Sequence, residues 1–251
     1  MDKKGFKKPG KRVPTKLYRY FSLGAGNKAW FERIQDILEK SRLYCPAPSQ
    51  LNDPFDCIVK LAPVNGEREI DFQGRTDREA GIQGRIDRQA GVLSFSKRKD
   101  NVPLWSHYAN HHRGLCLEFN IKEWTKDKVQ YHHHLDKVQY SISRQFVTLS
   151  PEEQSTTETL KKIVFTKHNN WRYENEWRMI RSFPNRCAPY LEFPKPALTG
   201  VIFGLRIADN DRCAVEQIIR DTDYPKLILY ESREDHARFS VNIVPVYLTK
   251  T

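Results

Sequence analysis

Residues 171–178 read WRYENEWR and set two carboxylates, Glu174 and Glu176, beside the guanidinium of Arg178. On an extended strand these three side chains share one face, with alternate residues about 6–7 Å apart. Such a pair of carboxylates suits sugar chemistry. One can accept hydrogen bonds from a ribose and stabilise positive charge on its ring, while the other orients a nucleophile. The same residues also fit a solvated strand face with a cross-paired arginine. On a helix, Glu174 and Arg178 would form an i,i+4 pair.

Other residue types capable of chemistry are scattered along the chain. Gly24-Ala25-Gly26-Asn27-Lys28-Ala29 matches G-x-G-x-x-A between a strand and a helix, formally a dinucleotide fingerprint. The acid expected about twenty residues on is replaced by Cys45-Pro46, so a helix-capping loop is the better reading. His132, His133 and His134 would alternate across a strand and could not all reach one ion. His107 and His111 have i,i+4 spacing, but Tyr108 stands where a zinc-protease helix needs Glu. Both clusters read as surface or packing histidines. Cys45, Cys57, Cys116, Cys187 and Cys213 are odd in number, widely spaced and free of CxxC pairs, as buried reduced thiols would be. There is no GxSxG and no Walker loop. Asp53 and Asp56, were they to converge with Glu174 and Glu176 on one ion, would make a metal-dependent nuclease.

Periodicity supplies the elements that must position these groups. Residues 17–23 (LYRYFSL) alternate as a strand, with Leu17, Arg19 and Phe21 on one face. Trp30, Phe31, Ile34, Ile37 and Leu38 recur at helical spacing, so a helix is predicted over 28–40 with Asn27 as its cap. Further strands are expected at 42–46, 92–96, 115–119, 173–181, 199–205 and 241–248. Helices are expected near 103–109, 151–170 and 209–220. Two short repeats interrupt this pattern. FQGRTDREAG is followed at once by IQGRIDRQAG, and DKVQY occurs at 127–131 and 136–140. Both read as inserts, near 66–91 and 125–140, within a single α+β domain spanning 17–251.

The formal charge is +11. In residues 1–16, Lys3, Lys4, Lys7, Lys8, Lys11, Arg12 and Lys16 face only Asp2, and Gly5, Pro9, Gly10 and Pro14 break any helix. This is a basic flexible arm that can attract nucleic acid or simply keep the protein in solution. No apolar run approaches the roughly 18 residues of a membrane span, and no apolar stretch follows the N-terminal lysines. A cytoplasmic protein without a membrane partner is expected.

Taken in order, LYRYF, NDPFD, LSFS, LWSHYA with GLCLEF four residues later, and YENEWR resemble a widespread bacterial domain-of-unknown-function family, number 2971, often found in mobile and defence-associated loci. The resemblance runs from about Leu17 to the strand near Gly204. That family's layout is similar to the ADP-ribosyltransferase superfamily, which implies a split β-sheet core with flanking helices. One branch of the superfamily places an Arg on its first strand, then a Ser-Thr-Ser-like strand, then a Glu-x-Glu strand. Here the order is Arg19, Ser94-Phe95-Ser96 and Glu174-Asn175-Glu176, with Phe95 in place of the middle Thr.

By that resemblance NAD is the substrate. Arg19 would hold its pyrophosphate, and Ser94 with Ser96 would brace the site. Glu176 would bind the nicotinamide ribose and stabilise the oxocarbenium-like transition state, and Glu174 would orient the acceptor. Trp105 or Tyr108 would stack on nicotinamide, with Asn52, Asp53 and Arg178 as further candidates. The implied activity is ADP-ribose transfer, or NAD hydrolysis, by a toxin or phage-defence effector acting on nucleic acid or protein. Two other readings stay open: the metal-dependent nuclease, and a non-catalytic nucleic-acid binder using the arm with Trp105, Trp171 and Trp177.

Overall fold

The computed structural model describes residues 13–24, 26–61, 69–126, 133–144, 146, 156–182 and 189–247. Strand β1 (Lys16–Phe21) leads to helix α1 (Lys28–Lys40) and the short β2 (Arg42–Tyr44). Asn27 caps α1 by accepting from the Trp30 amide, and Ile34, Ile37 and Leu38 form its buried stripe. A long α2 (Glu69–Gln89) runs directly into β3 (Ala90–Ser96). Then come α3 (Val102–Tyr108), β4 (Leu115–Asn120) and the single turn α4 (Ile121–Trp124). The next segment holds β5 (His133–Lys137), β6 (Gln139–Ser141), α5 (Thr156–Val164) and β7 (Thr166–His168). A 3-10 turn, Asn169–Glu174, precedes β8 (Glu176–Ser182). The chain continues through β9 (Tyr190–Glu192), β10 (Leu198–Phe203), α6 (Asp209–Thr222), β11 (Ile228–Glu234) and β12 (Val241–Val246).

The fold is α+β around a large mixed sheet of eight strands, ordered β12-β11-β10-β4-β1-β3-β8-β5. One face carries the main core. It includes Leu17 and Phe21 of β1, Leu93 and Phe95 of β3, Trp177 and Met179 of β8, and buried residues of α1, α4 and α6. The opposite face packs in two patches. Ile82, Ile86, Ile163 and Val164 from α2 and α5 cover Val92 and Ile180, while Trp105 of α3 covers Tyr18, Cys116 and Ile202. Strand alternation sends successive side chains to these two faces.

The sheet is not uniformly knitted. β1 pairs with β4 from Lys16 to Phe21, and β3 pairs with β8 from Ala90 to Ser96. Between β1 and β3 the register holds at one position, Tyr18 opposite Ser96. The sheet therefore parts at this joint, beyond which backbone groups of neighbouring strands no longer meet.

Several expectations need correcting. The segment 151–170 is not one helix; α5 ends at Val164 and Thr166–His168 is a strand. The strand expected from 173 begins at Glu176, because Asn175 adopts a left-handed conformation (φ 46°) that closes the 3-10 turn before it. The repeat at 72–91 lies on α2, except that Ala90 and Gly91 already belong to β3. His107 and His111 do not share a helix, since α3 stops at Tyr108 and His111 has φ 53°. The helix-capping reading of the GAGNKA stretch holds at Asn27, which caps α1, and β1 before it has antiparallel partners on both sides. Residues 1–12 of the arm, Cys187, His132 and the first DKVQY copy lie outside the described residues. Among the described residues no helix is long and apolar enough to cross a membrane.

Candidate functional site

Alternation places Ser94 and Ser96 of β3 and Glu176 and Arg178 of β8 on the face opposite the main core. Register sets Arg178 across from Ser94 and Glu176 across from Ser96. Glu174 is not on the strand. It ends the 3-10 turn, and the left-handed Asn175 swings it back toward Glu176. The two carboxylates meet through a residue that the WRYENEWR run does not contain: Lys167 of β7 donates to Glu174 Oε2 at 2.6 Å and to Glu176 Oε2 at 3.2 Å.

Arg178 is fully buried and uses its whole fork. Nε and Nη2 donate to the two oxygens of Glu176 at 2.7 and 3.0 Å. Nη1 donates to Asp56 at 2.9 Å and to the Val164 carbonyl at 2.6 Å, and Nη2 also reaches Asp56. The cluster thus holds three buried carboxylates, Asp56, Glu174 and Glu176, against two buried cations, Lys167 and Arg178. Buried charges persist only where partners satisfy them in this way.

The environments of the two glutamates pull their acidities apart. Burial alone would raise both. For Glu176 the charges of Arg178 and Lys167 outweigh burial and hold its pKa down at about 2. For Glu174 burial prevails over Lys167, and the Glu176 charge adds to it, so its pKa is raised. Burial would lower the pKa of Lys167, but Glu176 and Glu174 overcome this and raise it. One carboxylate is therefore firmly ionised while its neighbour holds a proton more readily, the separation that acid–base and charge-stabilising roles require.

These groups line a cavity of about 350 Å³ at the parting of the sheet. Arg19 and Ser94 line it too. Arg19 alternates with Tyr18 and Tyr20, so its side chain starts on the main-core face, above the Phe21 and Phe95 rings at 5.6 and 6.0 Å. Because β1 and β3 have separated, its Nη1 reaches across to the Ser94 carbonyl at 2.8 Å. Arg33 of α1 lines the same cavity. Neither arginine forms an ion pair with an acid among the described residues. Burial, followed by repulsion from Arg33, lowers the pKa of Arg19 to about 10. Two guanidiniums without a carboxylate partner make an anion-binding wall in a cavity that also contains the carboxylates.

Tyr108 completes the cleft. Its hydroxyl donates to Glu174 Oε1 at 2.7 Å and accepts from Asn52 Nδ2 at 3.2 Å, which sets Asn52 in the outer wall. The remaining candidates fall elsewhere. Trp105 has no exposed surface, and its indole N–H donates to the Lys99 carbonyl, so it cannot stack on a ligand. It meets the cleft through Tyr20, edge-on at 5.1 Å. Ser96 donates to the Glu174 carbonyl at 2.7 Å and accepts from the Arg98 amide at 3.0 Å; it pins the turn that presents Glu174. Asp53 caps the Phe55 amide and lines a neighbouring cavity rather than joining Asp56 at the cluster. Among the described residues no group of three His, Cys, Asp or Glu side chains is arranged to hold a metal ion. Lys167 and Arg33 were not anticipated. Lys167 lay in a segment read as helix, and nothing in its T-K-H context marks a buried cation.

Residues 104–179 match the model of a family described as a protein of unknown function, DUF2971. The match contains LWSHYA, GLCLEF and YENEWR, on which the family resemblance was read. Within the site, the matched stretch supplies Tyr108, Lys167, Glu174, Glu176 and Arg178, while Arg19, Arg33, Asn52 and Ser94 lie outside it. No curated protein and no solved structure matches the chain.

Proposed function

We propose that the cleft binds NAD and breaks the bond between nicotinamide and ribose, passing ADP-ribose to an acceptor or to water. The observation that carries this reading is the convergence of Arg19, Ser94 and Glu176. They are distant in sequence, sit on three adjacent strands, and line one cavity where the sheet parts.

The chemistry follows from the charges. Arg19 and Arg33 offer the pyrophosphate a bidentate cationic wall, and a dianion there would offset their mutual repulsion. As the glycosidic bond breaks, its electron pair leaves with the nicotinamide nitrogen and positive charge develops on the ribose. An ionised Glu176, fixed by Arg178 and Lys167, is preorganised to stabilise that charge without reorganising. Glu174, with its raised pKa, takes the proton from the attacking hydroxyl. Tyr108 holds Glu174 in place and offers an aromatic side chain beside nicotinamide. Ser94 braces the site through its carbonyl, which holds Arg19.

The test is nicotinamide release from NAD by the purified protein. Release should fall by about 10²–10³-fold in Glu176→Gln. In Arg19→Ala the loss should appear mainly as weaker NAD binding. Absence of release from the folded wild-type protein, together with no NAD binding by calorimetry, would overturn the reading.

A further inference from the structure

A second cavity, of about 630 Å³, lies on the other side of the turn carrying Asp53 to Cys57. Asp56 and Lys167 face the cleft described above, whereas Asp53 and Phe55 line this second space, which Lys167 also reaches. The two cavities thus share Lys167, the residue that donates to both glutamates. A group held in the second cavity would lie beside the carboxylate proposed to accept a proton.

Its lining has a definite chemical character. Arg144, Lys162 and His168 contribute basic groups, and Lys167 adds a fourth. The one acid among the described lining residues, Asp53, has an oxygen engaged by the Phe55 amide at 2.9 Å. Two aromatic rings complete it. Phe55 is 69% exposed, with the Arg144 guanidinium 5.1 Å from its centroid. Trp171 has the Lys167 ammonium 4.8 Å from its own. An exposed phenyl ring beside guanidinium and lysine groups is costly to leave in water and has the composition of a base-stacking platform with phosphate contacts around it. The volume lies within the roughly 300–1,000 Å³ of small-ligand sites, suited to one or two nucleotides.

We infer that this cavity is a nucleotide subsite for single-stranded nucleic acid, placing the acceptor of the ADP-ribosyl group next to Lys167 and Glu174. The acceptor role rests on the NAD reading of the first cleft; the binding role does not. Transfer forms a bond between ribose C1′ and an acceptor oxygen or nitrogen, whose proton passes to Glu174 while nicotinamide leaves.

The experiment uses the full chain and a fluorescein-labelled single-stranded oligonucleotide of mixed sequence, as DNA and as RNA, followed by fluorescence anisotropy without NAD. Phe55→Ala and Lys162→Glu should each weaken binding about tenfold. Lys122→Glu makes the same charge change at an exposed position of α4 and should have little effect. Equal losses from Lys122→Glu and Lys162→Glu, or no loss from Phe55→Ala, would overturn the subsite in favour of diffuse attraction to a basic protein. A second arm adds NAD labelled in its adenylate phosphate. Label on the oligonucleotide supports the acceptor role; label on protein alone overturns it. Phe55-dependent oligonucleotide binding without nicotinamide release would leave the subsite standing and remove the NAD reading, so the two failures are distinguishable.

Discussion

Removing the Arg178 guanidinium would leave three buried carboxylates, Asp56, Glu174 and Glu176, with Lys167 as their one remaining cation among the described residues. Arg178→Met should therefore destabilise the fold by about 3–5 kcal/mol, measured by urea denaturation at neutral pH. The two glutamates also predict a pH signature, with opposite signs. Glu176 ionises at about 2 in the folded chain against an ordinary 4.5, so its stabilising contribution is complete above 4.5 and drains away as pH falls toward 2. Glu174 has a raised pKa, so the folded chain binds its proton more tightly than the unfolded one, and stability rises as it protonates in mild acid. In denaturation curves against pH, Glu176→Gln should flatten the strongly acidic limb and Glu174→Gln the mildly acidic one. Unchanged curves in both variants would show that the cluster does not hold these protonation states.

Among the elements, β3 explains why its middle residue is Phe95 rather than a small polar side chain. Phe95 points into the main core, packed edge-on against Phe119 and Trp124 at 5.9 and 5.8 Å, while Ser94 and Ser96 face away from it. Phe95→Thr should cost about 3 kcal/mol or more by opening a core cavity, with a lower thermal midpoint as the readout. The joint between α3 and β4 is equally constrained. A Cβ on Gly114 would lie 2.0 Å from the Phe21 carbonyl oxygen, at the end of β1. Gly114→Ala must then push β4 away from β1, and we expect it to fold poorly or lose at least about 1–3 kcal/mol. Asn27→Ala, which removes the cap of α1, should cost about 1 kcal/mol in the same assay.

At the scale of the whole molecule, the parted sheet is the organising feature. Strong ladders on either side, β1 with β4 and β3 with β8, leave one register position to join the two halves. The gap lets Arg19 cross from the core face to the carbonyl of Ser94, and it gives the cavity walls from both faces. The net charge of +11 acts over a longer range than any of these contacts. Oligonucleotide affinity should accordingly fall steeply as salt rises. The slope should decrease by about one in Lys162→Glu if that lysine meets a phosphate.

Much of the architecture was legible in the residues themselves. Trp30, Phe31, Ile34, Ile37 and Leu38 marked α1, and Asn27 its start, because helix period and capping are local. The alternating β1, β3 and β4 strands were readable for the same reason, as was the order Arg19, Ser94, Glu176. The tertiary structure decided what those residues touch. Glu174 looked like a strand neighbour of Glu176, yet the left-handed Asn175 puts it on a turn, and Lys167, nine residues from Glu176 in the chain, is what joins them. Trp105 looked available for stacking, but α3 buries it. Strand pairing, the parting of β1 from β3 and the pairing of buried charges all depend on contacts between residues remote in sequence. No local pattern encodes them, and they form only when the two halves of the sheet come together.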